Sequence, residues 1–231
     1  MKERTKTTLL LLVLLFATAF ASYNQQLNRK DLVYAESLDK VALLVDGNEL
    51  NLRDMAVYVA YQERTVQQDA LVYDSEKPNK YWNSYTNKHF VRKVAEDAVK
   101  DMAAHDEIFY RMAVAEGLEL DETESAYLEN EILDFFMDVS EEQMARLGIQ
   151  KEDVEYSLEK IALANKYQSI LAQEEGLEYE DYNYTGDAYI ELSSEHVTEE
   201  NEKVWNRISV GSITVNYKKE KAKLSNTAKE E

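Results

Sequence analysis

Three helical patterns in this chain each end in a glycine followed by an aliphatic residue, and this repeated ending constrains the fold most. The three pairs are Gly117-Leu118, Gly148-Ile149 and Gly176-Leu177. Glycine often ends a helix because the residue after the last turn takes a left-handed conformation, and the next apolar side chain packs back on that turn. The chain is therefore expected to form an array of helices with short connections. The spacing is too irregular for a repeat protein.

The segment before Gly117 predicts a long amphipathic helix, because apolar residues recur there at spacings of three and four. This stripe consists of Phe90, Val94, Ala98, Met102, His105, Phe109 and Met112. Capping boxes at Asp121/Glu124 and Ser140/Gln143 then predict the starts of two further helices. The apolar residues of these and of the last helix are Leu128, Ile132, Phe135, Phe136, Met144, Leu147, Val154, Leu158, Ile161 and Leu171.

The ordered fold is expected to begin near Lys40 with a strand and a turn. Val41, Leu43 and Val45 alternate, and Asp46-Gly47 is a typical hairpin turn. Asn51 then resembles an N-cap for a helix. The apolar residues of that helix are Leu52, Met55, Val59 and Val66. Pro78, the single proline of the chain, is expected to end it.

The chain returns to strand-like patterns after Gly176. Residues 189–192 alternate, residues 198–208 suggest a short amphipathic helix, and residues 212–217 form an alternating strand pattern. The strand at 213–217 is expected to pair with the strand at 41–45. From Lys218 onward the chain is rich in lysine and glutamate, which predicts a disordered tail.

The N-terminal segment has the pattern of an export signal. Lys2, Arg4 and Lys6 precede the apolar run Leu9 to Ala21, and Ala19-Phe20-Ala21 fits a cleavage site. The run is shorter than the roughly 20 residues that cross a membrane. Cleavage after Ala21 is therefore expected, with an uncleaved anchor as the alternative, and residues 22–39 are expected to form a flexible tether. The mature protein would then be extracytoplasmic, either secreted or in the cell envelope.

Charge and composition exclude several classes of function. The formal charge is −19 and becomes −21 without residues 1–21. Such a surface repels nucleic acid and anionic lipid, and it could favour cationic partners. Because the chain has no cysteine, disulfides, zinc-thiolate sites and a lipoprotein anchor are excluded.

No catalytic, metal or cofactor site is predicted. His89, His105 and His196 lack ligand spacing, and neither a nucleophile elbow nor a phosphate loop is present. Glu129 and Asp134 could be paired for glycoside hydrolysis, but in so acidic a chain a solvated face explains them. Residues 181–186 match the first half of a calcium loop, but its twelfth position is Leu192, so an ordinary turn is predicted.

Several stretches together resemble a known family. They are VALLVDGNELNLRDM (41–55), MAVAEGLELDETE (112–124) and LGIQKEDVEYSLEKIALANKYQSIL (147–171). In order and spacing they are similar to the chaperone domain of the SurA/PrsA-type extracytoplasmic foldases, a domain of the SurA N-terminal or trigger-factor C-terminal type. The resemblance covers residues 40–176. It implies a mainly α fold of long, splayed helices with a small β-sheet. The change of pattern after Gly176 and the composition of the last residues separate an extension at 177–217 and a tail at 218–231.

The family implies an ATP-independent chaperone that binds unfolded or extended segments of exported proteins. Many members also carry a parvulin-type prolyl isomerase domain. Residues 188–211, with His196, resemble the beginning of that domain, but too few residues follow to complete it, so no isomerase residue is assigned and no enzyme is expected. A dedicated assembly subunit for one envelope protein, or a residual isomerase, are the alternatives.

Flexible methionine and amphipathic aromatic side chains are suited to binding many different sequences. The peptide-binding candidates are Phe90, Phe109, Met112, Tyr127, Phe135, Phe136, Met137, Met144 and Tyr167. Each of them could instead belong to the core, because residues at helical spacing usually do.

Overall fold

Helices make up most of the computed structural model, which describes residues 31–86 and 88–215. The helices are α1 (Ala56–Tyr73), α2 (Asn79–Trp82), α3 (Val91–Ala115), α4 (Glu122–Asp138), α5 (Glu141–Leu147), α6 (Lys151–Glu175), α7 (Asp187–Ser193) and α8 (Glu202–Trp205). The strands are β1 (Val41–Val45), β2 (Asn48–Asn51), β3 (Tyr85–Thr86), β4 (His89–Phe90) and β5 (Thr198–Glu200). The predicted class, mainly helical with a small antiparallel sheet, is confirmed. The predicted signal peptide and charged tail lie outside the described residues.

The three glycine endings are where the sequence places them. Gly117, Gly148 and Gly176 all have positive φ, between 68° and 73°. Gly148 and Gly176 directly follow α5 and α6, and Gly117 follows α3 after one residue, Glu116. The amide of the aliphatic residue after two of them, Leu118 and Leu177, reaches back to a carbonyl of the last turn at 2.9 Å. The predicted helix ends are therefore confirmed, because this left-handed geometry is one that glycine adopts without strain.

A three-stranded sheet has the order β2-β1-β5. β1 and β2 form the predicted hairpin around Asp46 and Gly47, which both have positive φ as a tight primed turn requires. The C-terminal strand that pairs with β1 is Thr198–Glu200, with Val45 opposite Thr198. The prediction that residues 213–217 pair with β1 is therefore wrong.

The physical reason lies in two competing sets of hydrogen bonds. Asp46 and Val197 exchange hydrogen bonds of 2.8 Å, which fix β5 at the turn of the hairpin. The backbone N–H groups of Ile213, Thr214 and Val215 instead donate to the buried carboxylate of Glu63 on α1, so they are not available to a strand ladder.

Two other local predictions need correction. Residues 189–192 belong to helix α7. The short helix expected over residues 198–208 is confirmed only at α8, because residues 198–200 form strand β5. The end of the predicted tether is also ordered: Tyr34 lies in a 3-10 turn, is buried, and donates a hydrogen bond of 2.6 Å to the carbonyl of Leu52. The fold therefore begins before Lys40, since a buried aromatic side chain anchors this segment.

The long helices α3 and α6 are the main framework and run in the same direction. Lys160 contacts Glu107 at 2.6 Å and Tyr167 contacts Glu116 at 3.0 Å, so their contacts advance together along both helices. α1 and the sheet pack on α3, and α4 packs on α6. Residues 177–215 belong to the same compact unit as residues 40–176.

The buried face of α3 is rotated from the predicted stripe. Val94 is exposed, while the side chains that pack inward are those of Val91, Ala95, Val99, Ala103 and Ile108. Several residues of this face are alanines. Their small side chains let the neighbouring elements pack close to α3. A stripe chosen from larger apolar residues therefore missed part of the contact surface.

Candidate functional site

Among the helices that the structure describes, α4 is the one without a buried residue, although it is 17 residues long. Its helical start is fixed locally, because the side chain of Asp121 accepts from the amides of Thr123 and Glu124 while Glu124 accepts from Asp121 N–H at 2.7 Å. This reciprocal cap satisfies backbone donors that would otherwise be unpaired. The helix can therefore hold its shape without being enclosed by the core.

A groove of about 340 Å³ lies between α4 and α6. Its apolar lining comes from Leu120, Tyr127, Leu128, Ala162 and Ile170, and its polar lining from Glu124, Glu131, Asn165, Lys166 and Ser169. Tyr127 is 67% exposed. The groove thus offers apolar contacts beside polar groups, the combination found in many binding clefts.

The groove carries more negative than positive charge. Lys166 is already engaged, because its ammonium lies 2.6 Å from the carboxylate of Glu124 and donates to the carbonyl of Glu119 at 2.8 Å. Glu131 has no ion pair within the described part of the chain. Burial raises the pKa of the nearby Tyr179, and Glu131 is among the carboxylates that raise it further. The uncompensated charge in the groove is therefore negative.

The opposite face of α4 is also partly apolar. Leu133 and Met137 are 61% and 83% exposed, and they lie one turn apart on the same side of the helix. Phe135 and Phe136 are half-buried, with their rings edge to face at 5.6 Å between centroids. An ion pair between Arg64 and Asp138 connects the end of α4 to α1.

The structure gathers four of the nine candidate residues on α4: Tyr127, Phe135, Phe136 and Met137. Met144 is half-buried on the adjacent α5, and Met112 and Tyr167 are half-buried on α3 and α6. Phe90 lies apart on the β3–β4 hairpin, where its ring contacts Tyr85. These positions do not form one site.

Phe109 is a core residue, which corrects its assignment as a peptide-binding candidate. Its side chain is fully buried, and its ring packs among those of His105, Tyr167, Tyr182 and Tyr189. Tyr182 and Tyr189 come from the segment after α6, so they close over Phe109 from a distant part of the sequence. No sequence pattern within α3 could show that these two tyrosines bury Phe109.

Sequence reasoning missed several exposed or groove-lining apolar residues. Leu120 and Ile170 line the groove and Leu133 is exposed on the opposite face of α4, yet none of them was among the candidates, and Leu128 was assigned only to a helix. The capping box at Asp121 was a usable signal, since it fixes the start of α4 and hence the phase of its faces.

Polar groups elsewhere in the described residues are satisfied in their own networks. His105 is buried, with Nδ1 2.7 Å from Asp106 and Nε2 2.8 Å from the carbonyl of Tyr182. Glu107 accepts from Arg111 and Lys160, both at 2.6 Å. A cavity of about 10 Å³ beside Glu107 and Asp54 has room for one water at most. Within residues 31–86 and 88–215, no group of three or more histidine or carboxylate side chains could hold a metal.

Comparisons with known proteins found no matching family model, no matching curated protein and no matching solved structure. No helix among the described residues is both long and apolar enough to cross a membrane. The geometry around α4 therefore carries the functional interpretation.

Proposed function

We propose that this protein is an extracytoplasmic, ATP-independent chaperone-like protein that binds non-native polypeptide segments in the groove between α4 and α6. The observation that supports this function is the exposure of α4. A helix of this length normally gains most of its stability by burying one face. In α4 the apolar residues are instead left half-buried or exposed, and an open groove runs beside them.

The side chains around the groove suit binding without strict sequence selection. Leu120, Leu128 and Ile170 give the groove an aliphatic lining, and Tyr127 combines an apolar ring with a polar hydroxyl. Such side chains can adapt to different partners, which is the behaviour of promiscuous binders. We therefore expect many weak clients rather than one rigid ligand.

The acidic groove favours client segments that carry lysine or arginine beside apolar residues. Glu131 has no ion pair among the described residues, and the chain as a whole has a formal charge of −19. Segments rich in aspartate or glutamate would meet like charge there, which is unfavourable.

Suppression of aggregation tests this proposal. The chain, mixed at a stoichiometric ratio with a reduced, unfolding client, is expected to reduce light scattering without ATP. A variant with Leu120→Ser and Tyr127→Ser should lose most of that effect, because it removes apolar lining from the groove. The matched control is Tyr61→Ser with Ile190→Ser, which changes one exposed aromatic and one exposed aliphatic residue on other elements.

Site-specific cross-linking keeps the test independent of variant stability. A photoreactive residue at position 127 should capture the client, and one at position 61 should not. Equal capture at both positions, or no suppression by the unaltered chain, would contradict the proposal. A pull-down that yields one dominant envelope protein in place of many would favour the alternative, a dedicated assembly subunit.

A further inference from the structure

The charge of this chain is reversed at one end of the fold, where α1 leads into α2 and the β3–β4 hairpin. We call residues 71–93 the hairpin end. It carries five basic residues and two acidic ones, and no acidic residue lies between Lys77 and Ala95. The rest of the chain is strongly acidic, so the net charge hides this local reversal.

Contacts make the hairpin end one connected surface. The rings of Tyr73 and Tyr81 are 5.5 Å apart, which joins the end of α1 to α2. The hydroxyl of Ser84 donates to the carbonyl of Tyr81 at 2.7 Å, and the amide of Val91 donates to the carbonyl of Ser84 at 3.1 Å.

Three of the five cations at the hairpin end have no carboxylate partner among the described residues: Lys77, Lys88 and Arg92. Lys80 pairs with Asp74 at 3.0 Å, and Lys93 pairs with Glu96 and Asp97. Arg92 instead donates to Asn83 and lies over the ring of Phe90, 4.3 Å from its centroid. The uncompensated charge of this end is therefore positive.

Apolar and aromatic side chains are exposed beside these cations. Leu71, Val72 and Tyr73 are consecutive exposed residues at the end of α1, and Val72 is 89% exposed. Tyr85, on the hairpin, is 63% exposed and packs edge to face on Phe90 at 5.1 Å. Exposed apolar side chains and uncompensated cations therefore occur together at the hairpin end.

We propose that the hairpin end docks on an anionic lipid surface. Tyrosine is enriched at the level of the lipid headgroups, where its ring is apolar and its hydroxyl stays hydrated. Lysine side chains contribute apolar stems and place their ammonium groups among the phosphates. Valine and leucine at the same end can insert into the boundary between headgroups and acyl chains.

The negative charge of the rest of the molecule does not prevent this contact. At physiological ionic strength the Debye length is about 8 Å, so charges farther than that from the membrane are largely screened. Lys77, Lys88 and Arg92 would lie at the surface itself, where each basic residue gains substantially from anionic lipid. Neither of the cavities described above involves the hairpin end, so a broad surface is a better partner than an inserted side chain.

The full chain can be tested with a single fluorophore, since it has no native cysteine. Tyr85→Cys, labelled with an environment-sensitive dye, is mixed with phosphatidylcholine vesicles with or without phosphatidylglycerol. We expect a blue shift with the anionic vesicles that salt reverses, and little change with phosphatidylcholine alone. Adding Lys77→Gln and Lys88→Gln should lower the vesicle affinity about thirtyfold.

Two controls separate docking at this end from other modes of binding. The same dye at Ile190→Cys, an exposed position on α7, should not shift. In the Tyr85→Cys chain, Lys151→Gln with Lys203→Gln should leave the affinity unchanged. Equal shifts at positions 85 and 190, or no shift at 85, would overturn the proposal. A shift at 85 with polyglutamate but not with vesicles would overturn it in favour of an acidic polypeptide partner.

Discussion

Glu63 holds the last described segment of the chain in place. Its two carboxylate oxygens accept from four backbone amides and from the hydroxyl of Thr214, which is 2.6 Å away. The carboxylate is fully buried, so each of these donors replaces a hydrogen bond to water. One acidic side chain thus orders a segment that has no strand or helix of its own.

The substitution Glu63→Gln is expected to release this segment. The amide nitrogen of glutamine would face N–H donors, which leaves buried groups unpaired at a cost of about 1–3 kcal/mol. Hydrogen exchange should accelerate at the amides of Gly211, Ile213, Thr214 and Val215 and change little in α3. Glu49→Gln, at an exposed position on β2, is the control, and unchanged exchange in the Glu63 variant would contradict this role.

Stability should also depend on pH through Glu63. Burial raises the pKa of this carboxyl above its ordinary value of 4.5, although its hydrogen bonds oppose the shift. The folded chain then binds the proton more tightly than the unfolded chain. The contribution of Glu63 to the free energy of unfolding is therefore greatest below pH 4.5 and falls as the pH rises through the raised pKa. Denaturant titrations across that window should show a smaller fall in the Glu63→Gln variant.

Two helix-ending glycines provide a matched pair for measuring close packing. A Cβ atom on Gly148 would lie 2.6 Å from the Cα and Cβ atoms of Ala35, whereas one on Gly117 would meet nothing within 4 Å. Both residues have positive φ, so alanine costs about 1–2 kcal/mol at either position. Gly148→Ala should destabilise the chain more than Gly117→Ala in urea unfolding. Equal losses would mean that residue 35 is not packed there.

At the scale of elements, α4 differs from the other long helices. It has a hydrogen-bonded N-terminal cap but no buried side chain. α3 and α6 each bury many side chains, and α4 buries none. The stability of α4 therefore depends on local hydrogen bonds and on its contact with α6. Such an element is expected to open more readily than the core.

Removing the cap of α4 should loosen the groove without unfolding the protein. Asp121→Ala removes the carboxylate oxygen that accepts from the amides of Thr123 and Glu124, and it is expected to cost about 1 kcal/mol. Hydrogen exchange should increase in residues 122–138 and stay unchanged in α3. Glu122→Ala, in the same helical turn but outside the cap, is the control. A uniform increase across the fold would show that α4 is coupled to global unfolding.

For the whole molecule, the distribution of charge matters more than its sum. The groove beside α4 is acidic, as is most of the chain, while the hairpin end is basic. The net charge alone predicts that anionic surfaces repel this chain, because a single number ignores where the charges lie. The fold separates the two signs, so each surface can select a different partner.

The groove should therefore discriminate between client peptides by charge. A fluorescent peptide with lysine between apolar residues is expected to bind the full chain more tightly than the same peptide with glutamate at those positions. Added salt should weaken the first and strengthen the second, since screening reduces both attraction and repulsion. Anisotropy titrations measure both, and identical affinities for the two peptides would exclude an electrostatic contribution.

The sequence by itself determined the helices α3 to α6, the glycine ends of α3, α5 and α6, and the first hairpin. These features depend on local hydrogen bonds. In a capping box, a Gly-aliphatic helix end or the Asp46-Gly47 turn, the bonded groups are only a few residues apart, so the sequence pattern predicts them. Tertiary structure decided which faces are buried and which strand completes the sheet. Tyr182 and Tyr189 cover Phe109, and Glu63 draws residues 211–215 away from β1, across distances that no local pattern encodes. Burial is a property of what packs against a side chain, which explains why Phe109 was assigned to the binding surface while Leu120 and Ile170 were missed.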